Sequence, residues 1–146
     1  MQLTDVFLSL GSEAFHELLR GISIGKLKTY QLFDRIKART HLAKLNSETL
    51  QRAVGRLWQR LVDGDQDLAS DLSQAILVCH LDMIVAVLNF LGVPHDDGFF
   101  AKDLDPKPYL TEGWSKRVLD QFKGTYPDSL LRFYTEHLAW ELHVAG

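Results

Sequence analysis

DLASDLSQAILVCHLDMIVAVLNFLGV, Asp67 to Val93, holds the densest apolar run of the chain, and from Ala75 to Leu91 only His80, Asp82 and Asn89 interrupt it. On a helix of 3.6 residues per turn, Asp67, Asp71, Gln74, Asp82 and Asn89 gather into one narrow strip, and nearly every other position is apolar. The pattern predicts a single central helix over about 67–91, sunk in a bundle with a sliver facing water. Its length would suit a membrane span, but a carboxylate at the centre of a span costs about 2.5 to 3.5 kcal/mol, and no lysine or arginine flanks the run. The reading is therefore an all-α protein without a membrane segment.

Working outward, the turn Asp63-Gly64-Asp65 separates this run from the most regular amphipathic stretch, which begins at Asn46-Ser47. Leu50, Val54, Leu57, Trp58 and Leu61 form its apolar stripe, and Arg52, Arg56 and Arg60 form a basic row at i, i+4 and i+8. Further upstream, Thr4–Leu10 suggests one or two turns of helix. Ser12 caps a helix ending at Gly21, and Ser23 caps another from Ile24 to about Ala38. The segment from Thr40 to Asn46 has no clean period and reads as a connection. Downstream, Gly92 and Pro94 end the central run. The stretch from 92 to about 111, GVPHDDGFFAKDLDPKPYLT, is an irregular loop with three of the four prolines. Phe99, Phe100 and Tyr109 are expected to pin it to the core. A short helix bearing Trp114, Val118, Leu119 and Phe122 stops at Gly124, and Pro127 opens a last helix to Val144. On that helix Leu130, Leu131, Phe133, Tyr134, Leu138, Trp140 and Leu142 span a wide apolar arc, broad enough to touch two neighbours.

The expectation is one helical domain over 1–146, a bundle of five to seven helices around the central one. A chain of 146 residues with 46% hydrophobic content can bury a substantial core. The single cysteine, Cys79, excludes an intrachain disulfide and a Cys-rich zinc knuckle. With no basic, signal-like start in MQLTDVFLSLGSEAF, it points to a cytoplasmic protein. Net charge is only −3, but it is unevenly spread. From Arg20 to Arg60, Arg20, Lys26, Lys28, Arg35, Lys37, Arg39, Lys44, Arg52, Arg56 and Arg60 oppose Asp34 and Glu48, a balance of +8. From Leu61 to Gly113, Asp63, Asp65, Asp67, Asp71, Asp82, Asp96, Asp97, Asp103, Asp105 and Glu112 oppose Lys102 and Lys107, a balance of −8. Mutual neutralisation of the two segments outweighs a phosphate-binding surface as an explanation.

Three features bear on chemistry. His80 sits on the apolar side of the central run, where an imidazole must find a hydrogen-bond partner or a ligand. His137 and Glu141, at i, i+4, fall inside the apolar arc of the last helix and with His80 could ligate a metal in a bundle core. The chain lacks the Glu-x-x-His and His-Glu-x-x-His patterns of such sites, so no metal or cofactor is assigned. His95, Asp96 and Asp97 offer groups for a cation or for acid-base work, without the alternate-residue spacing of a calcium loop. The preferred function is a protein–protein interaction or oligomerising module, a homodimer in its simplest form, using Phe133 and Trp140 or the row Arg52, Arg56 and Arg60. A ligand- or metal-binding protein or enzyme built on His80, His137, Glu141 and the His95–Asp97 loop is the alternative. Nucleic-acid binding through the basic 20–60 segment ranks third, against a net negative charge and no recognition-helix motif.

Overall fold

The computed structural model describes residues 1–40, 47–101 and 103–144, and these form nine helices and no strand. The all-α class is therefore as expected. The described helices fall into two compact units, Met1–Cys79 and His80–Gly146. The reading of Thr40 to Asn46 as a connection falls on residues 41–46, outside those described.

The first unit contains α1 (Leu3–Leu10), α2 (Ser12–Arg20), α3 (Ile24–Thr29), α4 (Phe33–Thr40), α5 (Ser47–Val62) and α6 (Gln66–Val78). Helix α1 starts with a capping box, in which Gln2 and Asp5 exchange side-chain and backbone bonds across the first turn. Helix α2 lies chiefly along α5, and α1 rests on α2, α5 and α6. Phe7 and Phe15 meet edge to face at 5.6 Å, and Phe15 leans on Trp58 at 5.4 Å. Phe7, Phe15, Leu19, Leu57, Leu61 and Leu68 are fully buried. Each such side chain contributes about 1.5 to 3 kcal/mol by leaving water, so this cluster is what holds the unit together. The helix expected over Ile24 to about Ala38 is broken in two. Gln31 adopts φ 60°, the Leu32 N–H reaches back to the Leu27 carbonyl at 2.8 Å, and α4 starts afresh at Phe33.

Charge fixes the rest of this unit. Asp71, 5% exposed, lies on α6 opposite α4, where Arg39 Nε donates to it at 3.0 Å and Arg35 approaches to 3.8 Å. Arg39 also reaches Asp67 at 3.9 Å, and Arg35 donates to Gln74 at 3.0 Å. Within the strip, Asp71 is buried as a seam between α4 and α6, while Asp67 and Gln74 face water as expected. At the start of α6, Asp65 caps the helix by accepting from the Leu68 N–H at 3.0 Å and holds Arg60 at 2.7 Å. Gln66 joins α6 to α1 by donating to Thr4 Oγ1 at 2.9 Å.

The continuous central helix expected over about 67–91 is a correction: α6 ends at Val78 and α7 runs from Leu81 to Leu91. The Cys79 N–H closes α6 onto the Ile76 carbonyl, and Cys79 Sγ accepts the Ser23 N–H at 3.3 Å. His80, at φ −134° and ψ 37°, leaves helical geometry. Asp82 then falls in the first turn of α7, where its charge favours the helix N-terminus. The polar interruption marks a new start. Among the described residues no single helix is long and apolar enough to cross a membrane.

The second unit contains α7, the long connection of 92–113, α8 (Trp114–Phe122) and α9 (Asp128–Leu142). Gly92, at φ 76°, ends α7 in the left-handed region. Helix α8 packs on both α7 and α9. Met83, Val87, Leu88, Trp114, Val118, Phe133 and Leu138 are fully buried. The connection is anchored by Val93 and Leu110, both buried, whereas Phe99 is 60% exposed and Phe100 and Tyr109 are half-buried. Phe99 is therefore not a core pin.

Candidate functional site

On α9 the spacing of His137 and Glu141 brings Nδ1 and Oε2 to 3.6 Å, beyond hydrogen-bond reach. The two ends differ sharply in exposure, 8% for the His137 side chain and 46% for that of Glu141. Glu141 thus reaches water, contrary to the expectation that it lies within the apolar arc. His137 Nδ1 is buried with no hydrogen-bond partner. The Phe133 and Trp140 rings lie at 5.7 and 5.5 Å from the imidazole. Burial lowers the His137 pKa to about 4, so the ring is neutral near pH 7. Burial also raises the Glu141 carboxyl above its ordinary range. Tyr134, on the same helix, is pushed up by burial and then by the Glu141 charge. A neutral imidazole beside a carboxylate that does not bond to it is neither an ion pair nor an oriented acid-base dyad.

His80 is half-buried at the junction between α6 and α7, and burial lowers its pKa despite the opposing charge of Asp82. Among the described residues no group of three or more His, Cys, Asp or Glu is arranged to hold a metal ion. His80 therefore does not complete a ligand set with His137 and Glu141.

His95 occupies a different setting. Its Nδ1 accepts the Gly98 N–H at 3.0 Å, which places the ring proton on Nε2, and Nε2 donates to Asn89 Oδ1 at 2.7 Å. Between them, Asp96 and Phe99 exchange backbone bonds at 2.7 and 3.0 Å around Asp97 (φ 50°) and Gly98 (φ 93°). This is a two-residue turn with both central residues left-handed, the geometry that Asp-Gly favours. A Cβ at Gly98 would approach Ile84 Cγ2 at 3.2 Å, so the turn lies close against α7. Asp96 and Asp97 are exposed at its tip. The sequence reading passed over this turn, although the Asp97-Gly98 pair was its signal.

The two interaction candidates of α9 fare unequally: Phe133 is fully buried and cannot meet a partner, while Trp140 is half-buried. In the basic row, Arg60 is engaged by Asp65 and also donates to the Arg39 carbonyl. Arg52 and Arg56 are exposed. A surface not anticipated from sequence lies at the ends of α7 and α8. Phe90, 41% exposed, meets Phe122 edge to face at 5.7 Å, and Phe122 meets Tyr126 at 5.7 Å. Phe90 lies in an apolar run whose reading left only the polar strip facing water, which concealed it. Comparison with protein-family models, curated proteins and solved structures finds no match to this chain.

Proposed function

We propose that the protein is an interaction module that self-associates through the aromatic strip of Phe90, Phe122 and Tyr126. The supporting observation is that Phe90 stays 41% exposed at the end of a helix whose Val87 and Leu88 are fully buried. Exposed aromatic side chains are enriched where protein interfaces concentrate their binding energy, because a large rigid ring removes much apolar surface from water at little entropic cost. Covering what remains exposed of Phe90 is worth about 1 kcal/mol, and the flanking rings extend the patch. A second copy of the chain is the proposed occupant, which makes a homodimer the simplest assembly. The alternative surfaces have less to offer, since Phe133 is inside and Arg60 is held by Asp65. A cytoplasmic setting fits a lone thiol, Cys79, that burial keeps protonated.

Sedimentation velocity over a concentration series tests this reading. The wild type is expected to shift from monomer to dimer, and Phe90→Glu is expected to remain monomeric at the same concentrations. A wild type that stays monomeric throughout, or a dimer unaffected by Phe90→Glu, overturns it.

A further inference from the structure

We propose that His95 is a proton-operated latch on the Asp97–Gly98 turn. The neutral ring has one acceptor, Nδ1, and the Gly98 N–H occupies it at 3.0 Å. Its one donor, Nε2–H, is fixed on Asn89 Oδ1 at 2.7 Å. An imidazolium has two donors and no acceptor, so protonation sets an N–H against the Gly98 N–H. Rotating the ring does not restore the bond, because neither nitrogen can then accept. The link between the turn and the end of α7 is therefore present in one protonation state only.

The charged residues next to His95 on the turn are Asp96 and Asp97. Asp82 on α7 shares the helix face of Asn89, two turns earlier. All three are acidic and exposed. Gly98 gives the latch its sensitivity, since it rests against Ile84 in a left-handed conformation that its neighbours must hold. Phe99, 60% exposed, follows it directly. Releasing the Gly98 N–H thus loosens the segment that displays this ring, and the presentation of Phe99 becomes dependent on the protonation state of His95.

Nitrogen-15 NMR of the full chain, titrated from about pH 8 to about pH 5, tests the latch. At the alkaline end, the His95 ring is expected as the Nε2–H tautomer. As it charges, Gly98 amide exchange, corrected for its intrinsic pH dependence, should accelerate about tenfold, the loss expected for one hydrogen bond. His95→Gln should abolish that step, and Asn89→Asp should move it to higher pH by stabilising the imidazolium. An Nδ1–H tautomer at the alkaline end overturns the proposal. So does a Gly98 amide whose protection is unchanged through the His95 titration of the wild type.

Discussion

A buried imidazole with an unbonded nitrogen makes His137 sensitive to acid. Its folded-state pKa, about 4, lies below the ordinary 6.5, so the unfolded chain takes up the proton first as pH falls. The stabilisation from keeping the ring neutral is complete above about pH 6.5 and is lost between there and about pH 4, amounting to about 3 kcal/mol. Urea denaturation across that window should show the slope in the wild type and a flatter one in His137→Leu. At neutral pH, His137→Leu should cost less than about 1 kcal/mol, because Nδ1 gives up no bond and Glu141 keeps its access to water. A double cycle with Glu141→Leu should give an interaction energy below about 0.5 kcal/mol, whereas a value above about 1 kcal/mol would mean that the pair bonds in solution. Asp65 carries the same sign, because its folded-state carboxyl is also held low and the stability it adds is lost as pH falls. Burial alone would raise its carboxyl, but the Leu68 N–H, the Arg60 guanidinium and the charges of Arg60 and Arg39 together hold it below the ordinary 3.8. Asp65→Ala removes the cap of α6 and should cost about 1 to 2 kcal/mol in the same assay. The burial of His137 was legible from the apolar arc around it. The exposure of Glu141 was not, because it sits one residue before the end of α9, and a helical wheel carries no information about where neighbouring elements stop.

At the scale of elements, periodicity located α5 and the two ends of the long apolar run, since Asp63-Gly64-Asp65 and Gly92 are strong local stops. It did not locate the break at Cys79–His80, because apolar residues continue on both sides and a period has no memory of a bond such as that from the Ser23 N–H to Cys79. The consequence is measurable. Leu88 is fully buried and Leu81 only half so, and Leu88→Ala should cost about 2 to 5 kcal/mol, with Leu81→Ala costing clearly less. Equal losses at the two positions would contradict the division into α6 and α7. Within the connection of 92–113, the dipeptide Asp97-Gly98 is readable by its turn chemistry, whereas His95, Asp96 and Asp97 taken together suggest ligands. Gly98→Ala should destabilise by about 1 to 3 kcal/mol, through a left-handed backbone and a Cβ against Ile84.

For the molecule as a whole, the opposed charges of the sequence resolve partly inside the first unit, where Arg35, Arg39 and Arg60 meet Asp65, Asp67 and Asp71. Those arginines are spent on a seam between α4, α5 and α6, so a basic surface for phosphates is depleted. Binding to nonspecific duplex DNA at physiological salt should be weaker than about 10⁻⁴ M, and a titration showing tighter binding that Arg56→Glu abolishes would revive the nucleic-acid reading. Fold class could be read from the sequence because helical periodicity is a local property. The aromatic strip could not, because Phe90 and Phe122 lie in different helices and only the packing of α7 on α8 brings their rings together. Self-association through that strip is the central claim, and hydrogen exchange compared between dilute and concentrated protein tests it most directly. New protection confined to the ends of α7 and α8 around Phe90, Phe122 and Tyr126 is the predicted result; protection centred on the Arg52–Arg56 face of α5, or none anywhere, would contradict it.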